Sequence, residues 1–96
     1  MSTVVTLLRE LVEATPLPPP TGRDPSEIVS DAQSITRARV SLLEQLASAL
    51  ATEGVSHEAL ALRATLDDRD ARWQAALTVA HRVMTQRMTA MRRYRR

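Results

Sequence analysis

The chain has 96 residues and a net charge of only +2, which bounds it to one small domain with a thin core and no room for a deep catalytic pocket. Cysteine is absent, excluding a disulfide framework and thiolate metal sites, and two glycines are too few for a sheet protein full of tight turns. Hydrophobic residues make up 44%, drawn mainly from Leu, Ala, Val and Met with one Trp, one Tyr and no Phe, so the composition predicts an all-α fold.

The first element is a helix over residues 3–14. Val4, Leu8 and Leu11, joined by Val5, Leu7 and Val12, share one face, and Ser2 or Thr3 is the N-cap. A helix this short is marginal alone in water, so it is expected to dock on its own molecule or on a neighbour. Arg9 and Glu10 interrupt the apolar stretch, and no basic segment precedes it. No run approaches the roughly 18 apolar residues of a membrane span. A soluble, cytoplasmic protein is expected.

Residues 15–24 form the linker. Pro16 ends the helix, and PLPPPTGRDP reads as an extended, polyproline-type strap.

The second helix covers residues 25–53. Asp24 is its N-cap, Pro25 suits the first helical position, and Glu27 sits in the capping-box place. Ile28, Ala32, Ile35, Leu42, Leu46, Ala49 and Leu50 recur at four-three spacing, with Leu43 on the flank. Arg39 is the only charge inside that seam. Gly54 is expected as a left-handed stop residue.

The third helix covers residues 57–93, with Ser56 as N-cap and Glu58 in the first turn. Leu62, Leu66, Trp73, Leu77, Ala80, Met84, Met88 and Met91 fall within a band of roughly 100° on one face. Two antiparallel helices joined at 53–56 pair residues whose numbers sum to about 110, at 1.5 Å of rise per residue. Arg39 then lies level with Asp70 and Trp73 and is expected to reach one of them. The same pairing leaves the third helix overhanging by about ten residues, roughly 15 Å. Met88, Met91 and Tyr94 sit on that overhang. Helix one folded back, a second subunit, or a different protein must cover them.

Charge is lopsided along the chain. Residues 1–56 carry four Arg against seven acids, a balance of −3; residues 57–96 carry nine Arg against four acids, a balance of +5. All thirteen cationic residues are Arg, and Lys and Asn are missing, a bias that points to a GC-rich, bacterial coding genome. An Arg-rich end can neutralise phosphates, with Arg82, Arg92, Arg93, Arg95 and Arg96 as the nucleic-acid contacts and Tyr94 stacking on a base. Arg92, Arg93 and Arg96 point in several directions around the helix, however, and no helix-turn-helix pattern accompanies them. Terminal arginines also suit a helix C-terminus through its dipole.

No spacing supports catalysis. His57 and His81 are far apart, and Asp67, Asp68 and Asp70 read as a solvated face paired with Arg63, Arg69 or Arg72. No glycine-rich phosphate loop and no nucleophile motif occur, so neither an enzyme nor a cofactor is expected.

ITRARVSLLEQLASAL, a short turn, and LRATLDDRDARWQAALTVAHRVMTQRMTAMRR together resemble the small helical chaperones of flagellar and type III export, over about residues 35–93. The resemblance implies an antiparallel helical hairpin whose amphipathic C-terminal helix holds a helical segment of an export substrate. The substrate face would fall on Met84, Met88 and Met91.

The reading is an all-α protein: an antiparallel, coiled-coil-like hairpin of two long helices plus a short N-terminal helix on a proline-rich strap. It is a non-enzymatic binding or adaptor module that contacts another protein helix to helix, in a homo-oligomer or a hetero-complex. Its partner-binding residues are Met84, Arg87, Met88, Met91 and Tyr94. The alternatives are nucleic-acid binding through the Arg-rich end and a self-assembling structural subunit.

Overall fold

The computed structural model describes residues 2–20 and 23–94. It is all-helical: α1 spans Thr3–Ala14, α2 Pro25–Thr52 and α3 His57–Tyr94, with no strand among the described residues. Each boundary lies within one residue of the expectation from the sequence. The molecule measures 63 × 21 × 15 Å with a radius of gyration of 17.6 Å, against about 12 Å for a compact chain of this length. The 38 residues of α3, about 57 Å at 1.5 Å each, set the long axis.

Each helix starts on a side chain that satisfies an orphan amide. The Ser2 hydroxyl accepts from the Val5 N–H at 3.3 Å, and the Ser56 hydroxyl accepts from the Ala59 N–H at 3.1 Å. Asp24 accepts from the Ser26 N–H at 2.9 Å and from the Ser26 hydroxyl at 2.9 Å. The Ser26 amide first, and its hydroxyl second, hold the Asp24 carboxyl below its ordinary pKa.

Two apolar clusters hold the helices together. In the first, Val4, Val5, Leu7, Leu8 and Leu11 of α1 pack with Ala49, Ala59 and Leu66, flanked by Leu42, Leu46 and Leu62. Val4 and Leu11 are completely buried. Burying a Leu or Val contributes about 1.5–3 kcal/mol, enough to hold a twelve-residue helix that would not persist alone. In the second cluster Ile28, Trp73 and Ala80 pack together, with Ala32, Ile35, Ala76 and Leu77 around them.

Polar contacts fix both ends of α1. The Glu53 carboxylate accepts from the Ser2 hydroxyl at 2.8 Å, the Thr3 N–H at 3.0 Å and the Val4 N–H at 3.4 Å. It supplies a negative charge where the helix dipole is positive. The Ser2 hydroxyl, followed by those amides, holds the Glu53 carboxyl below its ordinary pKa against some desolvation. At the other end Arg69 donates to the Val12 carbonyl at 2.8 Å and the Thr15 carbonyl at 3.0 Å, and Trp73 Nε1 donates to the Pro16 carbonyl at 2.7 Å. Thr15 is wholly buried and turns its hydroxyl onto the Leu11 carbonyl, leaving the helix just before Pro16.

Two details depart from the sequence reading. Gly54 does not adopt the left-handed conformation; α2 instead ends on Glu53 in an extended conformation, φ −109° and ψ 150°. That conformation accompanies the three bonds by which the Glu53 carboxylate caps α1. Leu50, placed on the seam of α2, is 43% exposed. The buried face has rotated to Leu42, Leu46 and Ala49, because a four-three repeat drifts on a straight helix and α1 occupies that side.

Candidate functional site

The apolar stripe of α3 passes through both clusters and then leaves them. Leu66 is 6% exposed, Trp73 7% and Ala80 3%; farther along, Met84 is 37% exposed, Met88 58% and Met91 59%. At about 100° per residue these side chains share one face. The change is therefore one of cover, not of pattern. Pro25 opens α2 beside Ala80 and Val83, and no residue of α1 or α2 belongs to an apolar cluster with the three methionines.

Helix α1 docks on its own molecule, one of the two outcomes that the sequence left open. It docks at the Glu53–Arg69 level, however, and leaves the methionines bare. Tyr94 is 92% exposed at the same end.

The arginines do not form one patch. Arg87 lies at the edge of the methionine face and Arg92 on its other flank, whereas Arg82 and Arg93 lie on the opposite side, by their phase of about 100° per residue. Among the described residues none of these four is in an ion pair. Arg95 and Arg96 lie outside the described residues.

The three aspartates of α3 are committed elsewhere. Asp67 pairs with Arg63 at 3.8 Å and Asp68 with Arg72 at 3.0 Å, both one turn apart on α3. Asp70 takes Arg39 in a two-pronged pair at 2.6 and 3.3 Å. The Arg39 side chain is only 16% exposed, its stem lying along the seam as expected from its position between Ile35 and Leu42. Its Nε is buried with no partner beside a cleft of about 340 Å³ that also touches Thr36, Trp73 and Gln74. Among the described residues no three His, Asp or Glu side chains converge as a metal site would need.

A feature that sequence reasoning missed adjoins the methionine face. Pro19, Pro20 and Pro25 form one wall of an apolar groove of about 490 Å³, and Val79, Val83 and Arg87 line the other. Its only signal in the sequence was TVAHRV, where two valines four apart sit off the main stripe. The wall that makes them a groove comes from a segment about sixty residues earlier, which periodicity does not reveal.

No family model, curated protein or solved structure matches the chain. No described helix is long and apolar enough to cross a membrane. Function therefore rests on the geometry of this surface.

Proposed function

We propose that the chain is a non-enzymatic protein-binding or adaptor module that seats a helix of another protein on Met84, Met88 and Met91. Arg87 and Tyr94 lie alongside. In this reading α2 and α3 form an antiparallel hairpin, α1 is tied onto its closed end by the proline strap, and the end of α3 stands beyond the hairpin. The contacts of Arg39 with Asp70 and of Ile28 with Ala80 support the hairpin, because both pairs of numbers sum to about 110. A bacterial, cytoplasmic setting and a role like that of an export chaperone are parts of the same proposal, and rest on composition and on the resemblance of residues 35–93.

One observation carries the binding reading. A single helical stripe is buried at Leu66, Trp73 and Ala80 and is 58–59% exposed at Met88 and Met91. Methionine is flexible and polarisable, which suits a surface that accepts a partner's side chains. A non-enzymatic role is supported by the aspartate cluster, whose three carboxylates are each held by an arginine.

The chain has four methionines, so their methyl groups make a simple reporter. With ¹³C-methyl methionine, adding an uncharged Leu/Gln amphipathic helical peptide should shift the resonances of Met84, Met88 and Met91 and leave that of Met1. Changing Met88 and Met91 together to Ser should abolish that binding while helicity stays nearly intact. Changing Arg92, Arg93, Arg95 and Arg96 to Gln should leave that binding nearly unchanged, because the uncharged probe gives them nothing to steer. Loss of binding in the arginine variant with retention in the methionine variant gives the surface to phosphate recognition instead.

A further inference from the structure

We infer that the docking strip begins in the groove beside the prolines, continues onto the methionine face, and takes an acidic amphipathic helix of a different protein. This rests on the reading of the methionine face as a docking surface. On α3, Val79, Val83, Arg87 and Met91 form one row of side chains four residues apart. Ala76, Ala80, Met84 and Met88 form the neighbouring row. Such rows are the ridges on which a second helix packs. Both rows start at the groove wall, where Val79 is 56% exposed, and both run out onto the bare end of the helix. From Val79 to Met91 the strip is about 18 Å long, enough for three turns of a partner.

A second copy is the wrong occupant. Two such helix ends facing each other would set Arg87 and Arg92 of one copy against those of the other, and no acid follows Asp70 to relieve them. The exposed Met84, Met88, Met91 and Tyr94 side chains also offer only on the order of 500 Å², short of the roughly 800 Å² per partner in a stable interface. Extending the strip through Val79, Val83 and the prolines brings it closer to that area for any occupant, so charge decides between them.

Charge then selects the partner. Seven arginines and no acid follow Asp70, and Arg23 adds a cation at the far lip of the groove. Two acids temper this field: Asp31 holds Arg23 at 3.5 Å in an exposed pair, and Asp24 lies close enough to feel Arg87. Neither carboxylate lines the groove or lies on the end of α3. A helix with a leucine face and glutamates on its flanks matches both ridge and field, whereas a phosphate backbone has no use for the valines and methionines.

The test titrates the full chain with two 18-residue peptides that share one leucine face and carry either Glu or Lys on the flanks. Anisotropy should give at least tenfold tighter binding of the Glu peptide, an advantage that shrinks as salt rises. Val79→Ser with Val83→Ser should weaken that binding at least fivefold. Arg87→Glu, at an exposed position, should narrow the preference even if the serine variant proves less helical. Equal affinity for the two peptides overturns the acidic partner. Unchanged binding in the valine variant, with loss in the Met88/Met91 variant, overturns the extended strip and leaves the methionine face standing. Failure of both peptides to move any methionine methyl removes the underlying reading as well. A dimer by light scattering that the methionine variant dissolves, or tighter binding of a single-stranded oligonucleotide than of the Glu peptide, also overturns the inference.

Discussion

Near its start α3 is covered, with Ala59 1% exposed and Leu66 6%; at its other end Met88 and Met91 are 58% and 59% exposed on the same stripe. At the first end α1 supplies the cover, and three helices share one cluster. At the second, no residue of α1 or α2 shares an apolar cluster with the methionines. Helical periodicity states which face wants burial. Whether the face is buried depends on how many other helices reach it, and that is set by helix lengths and connections. The comparison separates residues that hold this fold together from residues that are available to something outside it.

Truncating each end in turn should give the largest contrast. Leu11→Ala removes a completely buried side chain from the first cluster and should cost about 2–5 kcal/mol. In a chain of this size that lowers the melting temperature by at least about 10 °C. Met88→Ala, by contrast, should leave it within about 2 °C, because surface substitutions change stability by about 0.5 kcal/mol or less. Similar losses in thermal melts of the two variants would break the comparison.

The join between the two ends should respond next. Asp70→Ala leaves the Arg39 guanidinium largely covered without its partner, and Asp70 is itself partly exposed, so the cost should be about 1–2 kcal/mol. Adding Arg39→Met should recover much of that loss, since no charge is then left unpaired. Urea denaturation of the three proteins decides it; a double variant weaker than Asp70→Ala alone would show that the Arg39 stem matters more than its charge.

Acid should act on the two capping carboxylates whose pKa is lowered, Glu53 at the covered end and Asp24 at the start of α2. The Glu53 carboxyl has a lowered pKa in the folded chain, so its contribution is full above the unfolded value near 4.5 and is lost as pH falls through the folded value. The melting temperature should therefore fall on acidification below about pH 4.5, and Glu53→Gln should flatten part of that fall. Parallel slopes for the two proteins in a pH series would remove the cap from the account.

The three helices were legible because their caps and stops are local: Ser2, Asp24 with Pro25, Ser56 and Pro16 each act within one turn. The Arg39–Asp70 pair was legible too, since one charge inside an apolar seam demands an answer at the matching level of the facing helix. Where α1 would dock was not legible. Its site joins Glu53 to its start and Arg69 to its end, contacts that span about fifty residues or more and leave no periodic trace. Gly54 misled for the same reason, because the end of α2 is shaped by the cap that Glu53 provides to α1. Of the docking surface, the methionine row could be read from the sequence, but the groove could not, since one of its walls is the proline-rich segment.

The contacts that hold α1 have a consequence for the order of events as the chain is made. Ala49, Glu53, Ala59, Leu66, Arg69 and Trp73 all follow α1 in the chain. A ribosome adding about 5–20 residues per second completes α1 several seconds before it adds Trp73. Through that interval Val4, Leu8 and Leu11 have nothing of their own molecule to lie against, and twelve residues are too few to stay helical in water. Helix α1, made before α2 and α3, therefore takes its place only once α2 and the first half of α3 have been made. Its apolar face is at its most accessible to chaperones, and to aggregation, before the protein exists as a whole.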